Sequence, residues 1–154
     1  MAELFINEVV HYYGKKSALN GINAPLENGV TALIGPNGAG KTTLINIIVG
    51  LLRPSQGSIL FNGRNLKEWG KQYYTQIGYC PQTPRFYNNF TASEFLIYMG
   101  IMKGLKKEEL QSRVPHYLEL VNLNKEKNTR IGAFSGGMKQ RLGIAQALLN
   151  DPQL

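Results

Sequence analysis

The stretch Gly35-Pro36-Asn37-Gly38-Ala39-Gly40-Lys41-Thr42 decides how this chain is read. It matches the pattern G-x-x-x-x-G-K-[ST] and lies between a short β-favouring apolar run and an apolar helical run, the context that turns the pattern into a site. Glycines let the backbone fold closely around a phosphate, and successive N–H groups then point inward as an anion nest. The start of the following helix adds the positive end of its dipole. Lys41 supplies a full charge to the outer phosphates of a nucleotide, and the Thr42 hydroxyl suits a Mg²⁺ ion held beside them. Thr43 is placed to hydrogen-bond the phosphate nearer the sugar.

Working outward, Val30-Thr31-Ala32-Leu33-Ile34 reads as a buried strand that stops at Gly35-Pro36. Residues 41–52 read as a helix, apolar nearly all round and hence buried on most sides, ended by Arg53-Pro54. Residues 3–10 suit an edge strand. Ser58 to Phe61 suits a strand with a turn at Asn62-Gly63, and Ile77-Gly78-Tyr79 a short strand halted by Pro81. From Thr91 to Leu123 the pattern turns helical, with Leu110, Val114, Tyr117, Leu118 and Val121 at spacings of three and four. Pro115 inside that run predicts a kink or a break. Ser135 can cap a last helix whose Met138, Leu142, Ala145 and Leu148 share one face, stopped by Asn150-Asp151-Pro152. The expected fold is α/β, with a core over about 1–83 and a helical subdomain over about 84–142.

Composition sets limits. The chain has 154 residues, 43% of them hydrophobic and 18% charged, which argues against disorder. The formal net charge is +7, and a single Asp, Asp151, stands among the ten acids. The longest apolar run, Leu44 to Leu52, is too short to span a bilayer, and the first residues lack the layout of a signal peptide. One cysteine, Cys80, allows no internal disulfide and no thiolate cluster, as suits a reducing compartment. His11 and His116 have no metal-ligand neighbours in sequence. Trp69, Tyr73 and Tyr74 read as packing, and Lys106-Lys107-Glu108-Glu109 as a solvated helix start.

Three further stretches narrow the class. Phe134-Ser135-Gly136-Gly137-Met138-Lys139-Gln140-Arg141 resembles the signature motif of ATP-binding-cassette (ABC) proteins, usually written L-S-G-G-Q. Gln82, after Ile77-Gly78-Tyr79-Cys80-Pro81, resembles the family's Q-loop glutamine. Tyr13-Gly14 sits where the family carries an aromatic that stacks on adenine, with Tyr12 as the neighbour that competes for the assignment. Taken alone, Ser135-Gly136-Gly137 is a helix cap, Gln82 a solvated loop residue and Tyr13 a strand aromatic. Their order around the phosphate loop, Tyr13 ahead of it and Gln82 and Ser135 after it, gives them the functional reading. Met138 departs from the usual Gln, a variant that occurs among export-type subunits of the family.

The resemblance implies a P-loop NTPase core with an antiparallel β edge and a helical subdomain. It also implies bound ATP and Mg²⁺, with Thr42 and Gln82 toward the metal and Lys41 and Gln82 at the reacting phosphate. Ser135, Gly136 and Gly137 would close over the nucleotide of a second ATP-binding domain in a head-to-tail dimer. Residues 84–104, rich in aromatics (Phe86, Tyr87, Phe90, Phe95, Tyr98), lie where the family meets the transmembrane permease, on the cytoplasmic face of the membrane; read without the resemblance, the same aromatics suit the core of the helical subdomain.

The family's Walker B strand, which ends in Asp-Glu, follows the signature helix, and no such strand occurs within residues 1–154. The expectation is therefore the front part of an ABC ATPase subunit, with negligible hydrolysis and poor stability on its own. The +7 charge would also suit a nucleic-acid- or ribosome-associated ABC ATPase, and a truncated non-catalytic product is a third reading. The transporter reading leads, with no direct nucleic-acid contact expected.

Overall fold

The computed structural model describes residues 3–154. The chain divides into two compact units, the first ending at Tyr74 and the second running from Thr75 to Leu154.

The first unit is built on an antiparallel sheet. Strand β1 (Leu4–Tyr13) and strand β2 (Lys16–Leu26) form a hairpin, with Tyr13 opposite Lys16 and Gly14 at φ 59° in the tight turn. β3 (Gln56–Phe61) pairs with the other side of β1, and β4 (Arg64–Asn65) closes the order β2-β1-β3-β4. The Asn62-Gly63 turn forms as expected, with positive φ at both residues, the twist that a two-residue hairpin needs. β1 alternates buried Leu4 and Ile6 with exposed neighbours until a bulge shifts the register at Glu8. Opposite that bulge, a Cβ on Gly57 would lie 2.2 Å from the Glu8 carbonyl oxygen, so glycine is required there. β1 thus lies inside the sheet, not at the edge that residues 3–10 suggested, and β2 supplies the partner that its sequence does not announce.

Helix α1 (Lys41–Ile48) buries Leu44 and Ile47, and the sheet of the same unit buries Leu4, Ile6, Ile59 and Phe61. It is shorter and less enclosed than expected. It ends at Ile48 ahead of Gly50, which has φ 77°, while Ile45 and Leu51 are exposed. The short helix α2 (Leu66–Trp69) is capped by Asn65, whose Oδ1 accepts from Lys67 N at 3.0 Å. A 3₁₀ turn over Gly70–Gln72 leads into α3 (Tyr73–Gln76).

One expectation fails clearly. Residues 30–34 are not a strand, and Val30 and Ile34 are 101% and 94% exposed. A strand buried on both faces needs hydrogen-bonded neighbours at both edges. The sheet order β2-β1-β3-β4 takes up every described strand and offers this segment no partner.

The second unit is helical. α4 (Ala92–Met102) opens with a reciprocal cap: Glu94 N donates to Thr91 Oγ1 (3.2 Å), and Thr91 N donates to Glu94 Oε2 (2.8 Å). These bonds hold the Glu94 carboxyl below the usual range. Gly104, at φ 88°, separates α4 from α5 (Lys107–Leu120). The break falls there, not at Pro115, which α5 runs through. α4 and α5 approach closely: a Cβ on Gly100 would meet Leu110 Cδ2 at 2.3 Å. A short 3₁₀ turn over Ile131–Ala133 precedes α6 (Gly136–Leu148). Phe95, Leu96, Leu118, Leu142, Ala145 and Leu149 form the centre of this core, with Met138 and Leu148 packed at its margin.

Polar ties hold the end of α6. Lys103 Nζ donates to Gln146 O (3.0 Å) and Asn150 Oδ1 (2.5 Å), and burial lowers its pKa. Arg113 Nη1 bonds Asp151 Oδ2 at 2.5 Å, and the Tyr117 hydroxyl donates to Asp151 Oδ1. Ile77-Gly78-Tyr79 is not an assigned strand. Even so, Leu154 N donates to Gln76 O (3.1 Å) and Gly78 N donates to Leu154 O (2.8 Å), the alternation of parallel pairing.

Candidate functional site

The phosphate loop is shaped by two left-handed glycines. Gly38 has φ 84° and Gly40 φ 90°, conformations that cost other residues about 1–2 kcal/mol each. They differ in their surroundings. A Cβ on Gly38 would meet nothing within 4 Å, whereas on Gly40 it would lie 2.5 Å from Ala18 O and 2.8 Å from Leu19 Cδ2. β2 therefore backs the loop directly beneath Gly40. Neither Ala18 nor Leu19 belongs to a motif. They act through a carbonyl and a methyl group, which leave no trace in a sequence pattern.

Within the loop, Ala39 N donates to Pro36 O (3.3 Å). Lys41 Nζ donates to Gly35 O and Pro36 O, both at 2.7 Å, so the ammonium lies over the start of the loop. Gly40 is the N-cap of α1, with no side-chain cap and no acidic residue in the first turn. The first-turn N–H groups have no intrahelical partner, and no carboxylate there opposes an incoming anion. Asn37 and Thr42 are exposed, while Thr43 is buried. This donor set, one lysine with free N–H groups and an exposed threonine hydroxyl, fits a nucleotide phosphate with Mg²⁺.

The hairpin brings Tyr13 to the same place. Its hydroxyl lies 3.4 Å from Thr43 Oγ1, and its ring stands edge-on to buried His11, with centroids 4.8 Å apart. Half of Tyr13 remains exposed. Tyr12 instead uses its backbone N–H to reach Ser55 Oγ at 3.2 Å. Of the two neighbours, Tyr13 is the one that touches the helix after the loop.

The remaining sequence candidates lie in the second unit. Gln82 is exposed in the bend after Pro81. Ser135 caps α6 through Met138 N, which donates to its Oγ at 3.3 Å, and Gly136 and Gly137 are exposed in the first turn. Cys80 is a packing residue: a Cβ on Gly143 would come within 2.9 Å of its Sγ, and burial pushes its thiol pKa up. Among the described residues, no group of histidines, cysteines and carboxylates could hold a metal ion, and no helix is long and apolar enough to cross a membrane.

An antiparallel sheet backing a glycine loop, with a lysine folded onto that loop and an uncapped helix behind it, defines an α/β nucleotide-binding domain of the P-loop class. The chain belongs to the ABC transporter family, whose model matches residues 19–154. It is 48% identical over 127 residues to an uncharacterized ABC transporter ATP-binding protein, YxlF, of Bacillus subtilis, covering 82% of this chain and 41% of that protein. It is 39% identical over 152 residues to the lantibiotic transport ATP-binding protein SrtF of Streptococcus pyogenes, covering 98% of this chain and 63% of that one. A solved ATP-binding subunit of an ABC transporter superposes with a TM-score of 0.85 at 33% identity, covering 97% of this chain and 62% of that one. The chain spans less than two thirds of the length of these proteins.

Proposed function

We propose that this chain carries the nucleotide-binding half of the site in an ATP-hydrolysing subunit that drives an ABC membrane exporter. The observation that carries the reading is the loop over residues 35–42. Gly40 is held against Ala18 and opens into an uncapped helix, and Lys41 and Thr43 flank the place where Tyr13 arrives. In this reading the N–H groups of residues 37–43 and the Lys41 ammonium bind the phosphates, and the Tyr13 ring receives the base. Thr42 would hold Mg²⁺, which would supply charge neutralisation at the transferred phosphoryl group, and Gln82 carries over from the family resemblance as a second metal-side residue. Ser135, Gly136 and Gly137 form a second anion site, offered to the nucleotide of a partner ATP-binding domain.

The likeness to a lantibiotic transport protein and the Met138 variant support the exporter class. A membrane-peripheral position follows from the permease partner, whose contact we place on the exposed side chains of 84–104, such as Tyr87 and Tyr98, since Phe95 is buried and Phe86 and Phe90 pack against the helical core. The functional division is proposed at about residue 83, with the helical subdomain over about 84–142, as distinct from the boundary of the two compact units after Tyr74. Residues 1–154 contain no carboxylate after an apolar strand to orient the water, so by themselves they hydrolyse ATP negligibly.

Titration with a fluorescent ATP analogue and Mg²⁺ tests the site. Lys41→Ala weakens binding by at least about tenfold, the loss of one charge-assisted contact. Equal affinity in the two proteins would overturn the phosphate-loop assignment. Family-level steady-state turnover by residues 1–154, abolished by Lys41→Ala, would overturn the inactivity.

A further inference from the structure

A cavity of about 440 Å³ opens in the first unit, and none of residues 35–43 lines it. Its volume falls in the range of small-molecule sites, about 300–1,000 Å³. Ile47, Ile59, Leu66 and Tyr73 give it an apolar wall. Arg53, Lys67 and Lys71 supply its charge, and no Asp or Glu is among the lining residues. Among the described residues these three cations take part in no ion pair, and the nearby Glu68 carboxylate faces Arg64 at 3.8 Å.

The cavity borders the C-terminal end of α1, where unsatisfied carbonyls would repel an anion. Here Asn46 O and Ile47 O accept from Leu51 N and Gly50 N, and two tyrosines take the carbonyls that follow. The Tyr73 hydroxyl donates to Ile48 O (2.7 Å), and the Tyr74 hydroxyl donates to Gly50 O (3.3 Å). The negative helix end is thus hydrogen-bonded before a ligand arrives, and the positive charges of Arg53, Lys67 and Lys71 remain uncompensated.

We propose that this cavity binds a small amphiphilic organic anion, with its apolar body against Ile47, Ile59 and Tyr73 and its acid group toward Arg53, Lys67 and Lys71, at a site separate from the nucleotide loop. The probe is 2-naphthalenesulfonate, with the uncharged 2-naphthalenemethanol as its isostere. The full chain is titrated by calorimetry and by amide NMR in the presence of saturating ATP and Mg²⁺. The sulfonate shifts the amides of Lys67, Lys71 and Tyr74 and leaves residues 35–43 unmoved. The neutral isostere binds at least about fivefold more weakly, as does the sulfonate to the Lys67→Glu/Lys71→Glu variant. The milder Lys67→Gln/Lys71→Gln variant, expected to weaken binding about twofold or more, decides the matter if the reversed one fails to fold. No binding up to about 10 mM, equal binding of the isostere, shifts confined to the loop, or unchanged affinity in the Gln variant would each overturn the proposal.

Discussion

Replacing Gly40 by alanine separates two physical terms that the loop combines. The first is conformational: at φ 90°, a residue with a Cβ costs about 1–2 kcal/mol more than glycine. The second is steric. The new methyl would sit 2.5 Å from Ala18 O and 2.8 Å from Leu19 Cδ2, and Ala18 O is backbone, unable to rotate away. Overpacking of this kind costs about 1–3 kcal/mol, so Gly40→Ala is expected to cost about 2–5 kcal/mol in all. Gly38→Ala is the matched control. Its φ of 84° is nearly the same and its surroundings are open, so it should cost about 1–2 kcal/mol. The difference between the two variants isolates the contact with β2. Urea unfolding followed through Trp69, the chain's one tryptophan, reads the first unit, because its indole N–H donates to Phe61 O at 3.0 Å. If the loop retreats from β2 to relieve the clash, the loss moves into nucleotide affinity, expected to fall at least about tenfold. A Gly40→Ala protein that unfolds at the Gly38→Ala midpoint and binds the ATP analogue as tightly would refute the packing argument.

Other outcomes follow from single contacts. Tyr13→Ala should weaken ATP-analogue binding about fivefold or more, the worth of one base–aromatic stack, while Tyr12→Ala changes it little. An affinity loss confined to Tyr12→Ala would reverse the assignment. The depressed Glu94 carboxyl makes the start of α4 acid-sensitive. Its folded pKa lies below the unfolded one, so its contribution is complete above the ordinary Glu range and is lost as pH falls through the folded value. Glu94→Gln should flatten that part of the acid-stability profile, and an unchanged profile would refute the cap's role. Cys80 should react with iodoacetamide with a half-maximal rate at higher pH than a free thiol, because burial disfavours its thiolate. A midpoint at or below that of a free thiol would contradict its packing against Gly143.

The parts of the fold legible in the sequence are those whose physics is local. Asn62-Gly63 specifies a hairpin turn, Thr91 and Glu94 cap each other over three residues, and Ser135 caps α6 in the same way. The spacings along α5 and α6 fix their buried faces before any partner is known. Misplaced boundaries arose where a local rule met a tertiary one. Pro115 predicted a break, but the chain turns at Gly104, where a left-handed residue is available, and α5 packs through the proline. β2 went unannounced because its burial is irregular, interrupted by the same bulges that bend β1.

For the candidate site, the sequence by itself indicated the chemistry proposed for it. Gly38, Gly40, Lys41 and Thr42 are recognisable because glycine, a cation and a hydroxyl at fixed spacing do their work within one loop. The tertiary structure alone decided which surface stands behind that loop and which tyrosine reaches it. Ala18 O under Gly40 and the Tyr13–Thr43 contact join residues far apart in the chain, through a hairpin register that no motif encodes. It also decided the state of residues 30–34. Their β-favouring composition expresses a local preference, and a strand exists only where neighbouring strands take up its N–H and C=O groups.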